Sequence, residues 1–275
     1  MIRLHKTFLL LACSIAAGFG GCSGGYVLTV PDQVAPAGGD ATVVIRLQHH
    51  EFAGYYPAVK GACIGYRAGD GPQRGAFTDK DGYAGAHVPA PALPGRYHVV
   101  VHHIDKNGVE SRQMAPLYAW EPARPIVAVD MDCLPKGGHG RVASQASLAA
   151  IAQNSNIIYM TRQGVAAHGR LHGELKSAGF PDGPILPWQH QNWRVEQDGK
   201  MPRVIVESRL VSQLASMRKS FPNLAVGICN DSVAAESFAR AGMKVVIIGQ
   251  EKVDIAKVPA VSRARTWAEV DISRE

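Results

Sequence analysis

Cysteine is scarce in this chain of 275 residues, and its five cysteines follow neither a disulfide-scaffold nor a zinc-ligand pattern. Whether Cys133 and Cys229 pair is left open, because each follows a strand of one predicted sheet. No run of lysine and arginine resembles a nucleic-acid patch, so nucleic acid is excluded as a predicted partner. A chain with 46% hydrophobic and 19% charged residues is predicted to be globular.

Long apolar runs are also missing, except for residues 7–19, which are too few to span a bilayer comfortably. Arg3 and Lys6 precede this run, as in a secretory leader. The small residues before Cys22 resemble a bacterial lipobox, so we predict a signal peptide over 1–21 and an acylated Cys22. Ordinary secretory cleavage and an uncleaved anchor are the alternatives. All three place the protein outside the cytoplasm, and the first predicts an envelope lipoprotein, periplasmic or on the outer surface.

Residues 22–121 predict an all-β region, because short β-branched runs alternate with turn signals. The segments 78–84 and 93–101 resemble bacterial immunoglobulin-like and carboxypeptidase-regulatory-like sandwiches. That resemblance implies a sandwich of about seven strands. Asp79 and Asp81 are predicted to form a hairpin turn rather than a calcium loop, because Gly82 comes too early for such a loop.

Residues 125–275 predict a second, α/β domain after a linker rich in proline. The predicted strands cover residues 126–129, 156–161, 185–186, 224–228 and 244–248. The predicted helices cover residues 144–153, 165–178, 206–220 and 232–241. This alternation is typical of a parallel sheet with helices on its faces.

Polar residues stand at the carboxyl ends of three of these strands: Asp130 and Asp132 at the first, Thr161 and Arg162 at the second, and Asp231 at the fourth. Parallel strands present their carboxyl ends at one edge of a sheet, where α/β proteins bind ligands. Two aspartates there can bind a hard cation such as Mg²⁺ or transfer a proton. The sequence therefore predicts that these side chains converge.

These motifs resemble the haloacid-dehalogenase superfamily of phosphohydrolases over residues 125–249. The run from Ile126 to Asp132 matches its "hhhhDxD" motif, and Ile157 to Thr161 matches "hhhhT". Within the superfamily, the sequence looks most similar to the lipin and phosphatidylinositol-transfer-protein type. The features that carry this resemblance are Gly138-His139, the segment 181–186, Phe221-Pro222, and an immunoglobulin-like region before the catalytic domain. The resemblance implies a Rossmann-like sheet of the HAD type.

The resemblance also implies a function and roles. Asp130 would be the nucleophile and Asp132 the general acid and base of a phosphomonoester hydrolase. Mg²⁺ would bind Asp130, Asp132 and Asp231, and Thr161 would bind the phosphoryl oxygens. The implied substrate is a phosphorylated small molecule or a phospholipid resembling phosphatidate, and the implied membrane contact is the lipid anchor.

Several residues depart from that pattern. Cys133-Leu134 replaces Gly-Thr, and Ala235 stands where a second acid is usual. The neutralising cation is left open between Lys219 and Arg209. Arg162, which stands one place before the usual arginine of the second motif, and His139 are further candidates for substrate contact. An inactive HAD-like binding lipoprotein is therefore the alternative. His168 and His172 stand four apart on a predicted helix, and we expect them on an exposed polar face rather than on a metal.

Overall fold

The computed structural model describes residues 25–51, 55–188, 203–249, 261–270 and 272, with the backbone alone for 203–209. The predicted leader and Cys22 lie outside this part of the chain, so their processing stays a prediction. No helix in the described part is long and apolar enough to cross a membrane.

The first part of the chain is all-β, as predicted, with eight strands in the described residues. They are β1 (Tyr26–Thr29), β2 (Gln33–Pro36), β3 (Asp40–His49), β4 (Cys63–Ala68), β5 (Arg74–Phe77), β6 (Tyr83–Pro89), β7 (Gly95–Ile104) and β8 (Glu110–Trp120). They form a sheet of order β1-β3-β6 and a sheet of order β2-β8-β7-β4-β5. Alternate side chains of β3 point into the core that the two sheets share, as expected for sheets with one solvated face.

The second part contains a six-stranded sheet in which every pair of neighbours is parallel. Its strands are β9 (Ile126–Asp130), β10 (Asn156–Thr161), β11 (Ile185–Pro187), β12 (Leu224–Cys229), β13 (Lys244–Ile248) and β14 (Val261–Ala264), in the order β11-β10-β9-β12-β13-β14. All five residues of the central strand β9 are buried. An uninterrupted apolar strand suits this position because helices cover both of its faces.

Among the described residues, four α-helices cover the parallel sheet: α1 (Gly138–Asn154), α2 (His168–Ser177), α3 (Arg203–Ser220) and α4 (Ser232–Arg240). Leu148 of α1 and Leu171 of α2 pack on one face of the sheet. Leu214 of α3 and Phe238 of α4 pack on the other. Trp120, at the end of β8, belongs to that second core, so the all-β part is packed against the α/β part.

The structure therefore confirms a mixed α/β chain with a parallel sheet and an all-β region. The predicted domain boundaries and the immunoglobulin-like assignment of the sandwich are not tested and stay predictions. A turn is present at the predicted place, because Asp79 Oδ1 accepts hydrogen bonds from the backbone N–H groups of Asp81 and Tyr83. The prediction of a hairpin is wrong, because the flanking strands β5 and β6 lie in different sheets.

Candidate functional site

The predicted polar residues meet at the carboxyl edge of the parallel sheet. Asp130 is the last residue of β9, and Thr161 is the last residue of β10, which pairs with β9. Asp231 follows β12, the neighbour of β9 on its other side. Asp132 lies in a short 3₁₀ turn, Met131–Cys133, directly after β9. The sheet order thus brings together residues that stand about 100 positions apart, as expected from the shared edge.

Arg162 links the three aspartates. Its Nη2 lies 2.6 Å from Asp231 Oδ2, and its Nη1 lies 3.1 Å from Asp132 Oδ2. The same Nη2 lies 3.8 Å from Asp130 Oδ2. A guanidinium has a planar fork of donors, which holds two carboxylates at fixed positions, whereas the ammonium group of a lysine is a single point charge on a flexible stem. Burial opposes the charge of Arg162, but the hydrogen bond to Asp231 and the three carboxylates raise the pKa of its guanidinium overall.

Asp130 is the most deeply buried member of this cluster. Its side chain is 0% exposed, and its Oδ2 has no hydrogen-bond partner. Its Oδ1 accepts a hydrogen bond of 3.1 Å from the backbone N–H of Asp132. Burial raises the pKa of Asp130 to about 7, against the opposing effects of that N–H and of Arg162. A carboxyl group with this pKa can gain and lose a proton near neutral pH.

Asp231 is held in place by the helix that follows it. It is the N-cap of α4, and its Oδ1 accepts hydrogen bonds from the backbone N–H groups of Val233 and Ala234. Its Oδ2 remains for Arg162. The backbone N–H groups of α4 and the guanidinium of Arg162 therefore both hold the Asp231 side chain in place.

Trp188 packs against the guanidinium of Arg162, a contact that was not predicted from the sequence. The Arg162 guanidinium carbon lies 4.4 Å from the centre of the Trp188 ring. The backbone N–H of Trp188 donates to the carbonyl of Thr161 at 2.9 Å. A cation on an indole ring is stabilised by the ring's electron density. The only sequence signal was a tryptophan two residues after a predicted strand.

The two cysteines near the site are free thiols and buried. Cys133 Sγ donates to the backbone carbonyl of Asp130 at 2.8 Å. Burial raises the pKa of both Cys133 and Cys229, and the nearby carboxylates add to this effect. Both groups are therefore protonated at neutral pH and are poor nucleophiles.

The arrangement does not fit the Mg²⁺ site that the motifs implied. In the described part of the chain, no group of three or more histidine, cysteine, aspartate or glutamate side chains converges as a metal site would. The guanidinium of Arg162 stands between the carboxylates of Asp132 and Asp231. Thr161 is buried, and its hydroxyl accepts a hydrogen bond from the backbone N–H of Gln163.

The remaining predicted site residues do not meet the aspartates. Lys219 is exposed in the last turn of α3. Because β12 begins just after α3 ends, Lys219 lies at the amino edge of the sheet, opposite Asp231. His139 is exposed in the first turn of α1 and makes no described contact with the cluster. Arg209 lies in α3, and its side chain is outside the described part.

A cavity of about 600 Å³ opens beside Asp132. Apolar side chains of Leu134, Leu171 and Phe180 line one part of it. Its charged lining consists of Asp132, Lys136, Arg141, Arg170 and Glu174, so basic groups outnumber acidic ones by three to two. This volume suits a small organic molecule.

Comparisons with known proteins identify no family: no family model matches the chain, and no curated protein matches it. Solved structures that resemble it include a multi-modular chitinase from Paenibacillus, with 10% identity and a TM-score of 0.25 over 84% of this chain and 27% of that one. A carbohydrate acetylesterase from Xanthomonas citri has 13% identity and a TM-score of 0.32, over 86% of this chain and 68% of that one. A xyloglucanase from Bacteroides ovatus has 9% identity and a TM-score of 0.24, over 84% of this chain and 67% of that one.

These findings contradict the HAD assignment. The structural neighbours are carbohydrate-active enzymes and not HAD phosphatases. Nothing in the comparisons supports a Mg²⁺-dependent phosphatase, and both that prediction and its inactive HAD-like alternative are wrong. The short motifs misled because a buried strand ending in aspartates is compatible with many α/β proteins. Because every TM-score reported above is below 0.5, the neighbours' activities are not transferred to this chain.

Proposed function

We propose that the chain is an acid–base hydrolase whose proton-transferring group is Asp130. The observation that carries this proposal is the fully buried Asp130 carboxyl, whose Oδ2 has no hydrogen-bond partner and whose pKa is raised to about 7. Buried carboxyl groups of this kind occur at catalytic sites, where they serve as general acids. Structural ion-pair networks rarely leave such an oxygen unpaired.

The neighbouring carboxylates supply the second half of the chemistry. The Asp132 side chain is 46% exposed and borders the cavity, so water solvates it much better than Asp130. Two carboxyl groups in such different environments separate into an acid and a base. Asp130 donates a proton to the leaving oxygen of the substrate, and Asp132 accepts a proton from the water molecule that attacks where the bond to that oxygen breaks. Arg162 stabilises the negative charge that develops.

The cavity indicates the kind of substrate. Three basic side chains against two acidic ones favour a substrate that carries a negative charge, and the apolar lining accommodates a ring or short alkyl group. An ester or glycoside with a carboxylate near the scissile bond fits this description. The leaving groups of both are oxygens that need a proton.

The experiment compares the wild-type protein with Asp130→Asn on p-nitrophenyl acetate, p-nitrophenyl glucoside and p-nitrophenyl glucuronide. We expect the glucuronide to be hydrolysed best, and Asp130→Asn to lose about 10²–10⁴-fold in kcat/KM. Asp70→Asn is the matched control, because Asp70 is exposed in the turn between β4 and β5. Equal hydrolysis by the wild type and Asp130→Asn would contradict the proposal.

A second candidate is a binding site without turnover. It is favoured by the burial of the Asp130 side chain, which is 0% exposed and is not among the residues that line the cavity. A binding protein would bind glucuronate in calorimetry and hydrolyse none of the three p-nitrophenyl compounds. Its affinity would be unchanged in Asp130→Asn, because Asp130 would then make no contact with the ligand.

A further inference from the structure

A second buried cluster lies away from the aspartates, where the all-β part meets the parallel sheet. Asp32, in the loop between β1 and β2, is only 3% exposed. Its Oδ2 accepts a hydrogen bond of 2.7 Å from the backbone N–H of Ile185 in β11. The same oxygen lies 2.7 Å from His172 Nε2 in α2. Its Oδ1 lies 4.0 Å from His168 Nδ1. One aspartate thus connects the all-β part to both α2 and β11.

His168 is the unusual member of this cluster. It is 5% exposed, and neither ring nitrogen has a hydrogen-bond partner. Burial lowers the pKa of His168 below 6.5, Asp32 acts in the opposite direction, and His172 lowers it further. A neutral imidazole fits this space, whereas an imidazolium would be a charge with no hydrogen-bond acceptor.

The other charged groups near the cluster come from the neighbouring elements. Arg96 of β7, Lys176 of α2 and Asp182, which precedes β11, line a cavity of about 390 Å³ together with His172. Arg96 Nη1 lies 3.2 Å from Asp182 Oδ2, and Tyr118 Oη donates to Asp182. These groups stand near His172, and the charge of Arg96 is balanced by Asp182, whereas His168 does not line this cavity. The charged and titratable groups that act on His168 are Asp32 and His172.

The cluster is also connected to the candidate site. β11 begins at Ile185, whose backbone N–H donates to Asp32, and ends at Pro187, directly before Trp188. Trp188 lies against the guanidinium of Arg162. Because β11 is the edge strand and has only three residues, it depends on β10 and on the Asp32 contact for its position.

We propose that Asp32, His168 and His172 form a pH-sensitive latch, which holds α2 and β11 against the all-β part at neutral pH and releases them on acidification. The direction of the pH effect follows from the difference between the pKa of His168 in the folded and in the unfolded chain. Because the folded-state pKa of His168 lies below its ordinary value of 6.5, the unfolded or opened chain takes up the proton first. The contribution of His168 to stability is present above that ordinary value and is lost as the pH falls through the lower folded-state pKa. Release of β11 would then loosen Trp188 and Arg162.

Hydrogen exchange at the Ile185 amide tests the latch in the full chain. After correction for intrinsic exchange, its protection should fall about tenfold or more in the wild type from about pH 7.5 to about pH 5. His168→Leu fills the same space without a titrating group, so its protection should change less than about twofold. His168→Met serves if the leucine variant does not fold, since its flexible side chain fits irregular spaces. His98→Gln is the matched control, because His98 is exposed on β7.

Three results would overturn the latch. The first is an unchanged Ile185 protection in the wild type. The second is an equal loss of protection in the wild type and His168→Leu. The third is an equal loss at Ile158, in the middle of β10, because acid would then unfold the whole sheet rather than release its edge. None of these results depends on whether Asp130 catalyses a reaction.

Discussion

Arg162 Nη2 lies 2.6 Å from Asp231 Oδ2, although the two residues stand 69 positions apart in the chain. This contact crosses β9, the central strand between β10 and β12. It places a positive charge 3.8 Å from the buried Oδ2 of Asp130. The arginine therefore restrains a pKa that burial alone would raise further.

Arg162→Met should raise the pKa of Asp130 above about 7, because the variant removes the charge but keeps an apolar stem near Trp188. Carboxyl-carbon NMR titration measures the change. Arg96→Met is the matched control, since Arg96 pairs with Asp182 and not with the cluster. An Asp130 pKa that stays unchanged or falls in Arg162→Met would show that Arg162 does not act on this carboxyl electrostatically.

Asp130→Asn should change how stability depends on pH. Because the folded-state pKa of about 7 exceeds the ordinary value of 3.8, Asp130 stabilises the fold at low pH and loses this contribution as the pH rises through about 7. The unfolding free energy of the wild type relative to Asp130→Asn should fall by up to about 1.4 kcal/mol per pH unit between about pH 4 and about pH 7, then level off. Urea unfolding at a series of pH values measures this difference. A difference that is constant with pH would contradict the raised pKa.

Asp231 has two roles that substitutions can separate. Asp231→Ala should lose about 1 kcal/mol of unfolding free energy, because α4 loses its N-cap. Asp231→Ser keeps a capping oxygen and should retain most of that stability, while the ion pair with Arg162 is lost. Chemical denaturation measures the first effect, and crystal structures of the variants show the position of Arg162. Equal destabilisation by serine and alanine would argue against the capping role.

Gly227 of β12 permits the close packing of α4 on the sheet. A Cβ at this position would lie 2.3 Å from the Phe238 ring, and no positive φ is involved. Gly227→Ala should therefore cost about 1–3 kcal/mol through overpacking. Gly85→Ala is the control, because a Cβ on that strand residue would meet no atom within 4 Å. Thermal unfolding compares the two, and similar midpoints would show that α4 can move aside.

The strands were largely predictable from local pattern. The predicted limits of β10 and β13 agree with the structure, and β9 extends one residue further, to Asp130. These strands are apolar on both faces and bounded by polar residues, which is a strong signal for a parallel sheet. The meeting of Asp130, Asp132 and Asp231 followed from the shared edge alone.

Other features depended on information that local sequence does not contain. α1 begins at Gly138, six residues before the predicted start. The prediction placed the start too late because glycines in this segment indicate a loop rather than a helix. His168 is buried rather than on the expected exposed face, because Asp32 reaches it from the all-β part. The family assignment failed because it depended on short motifs, each compatible with unrelated sites.

The most direct test of the acid–base proposal is the titration of Asp130 itself. Carboxyl-carbon NMR of the wild-type protein, assigned with Asp130→Asn, should show an aspartate titrating near pH 7. The signal of Asp70, an exposed turn residue, serves as the internal reference. A midpoint for Asp130 below about pH 5 would contradict the account, because the carboxyl would then be ionised at neutral pH and unable to donate a proton.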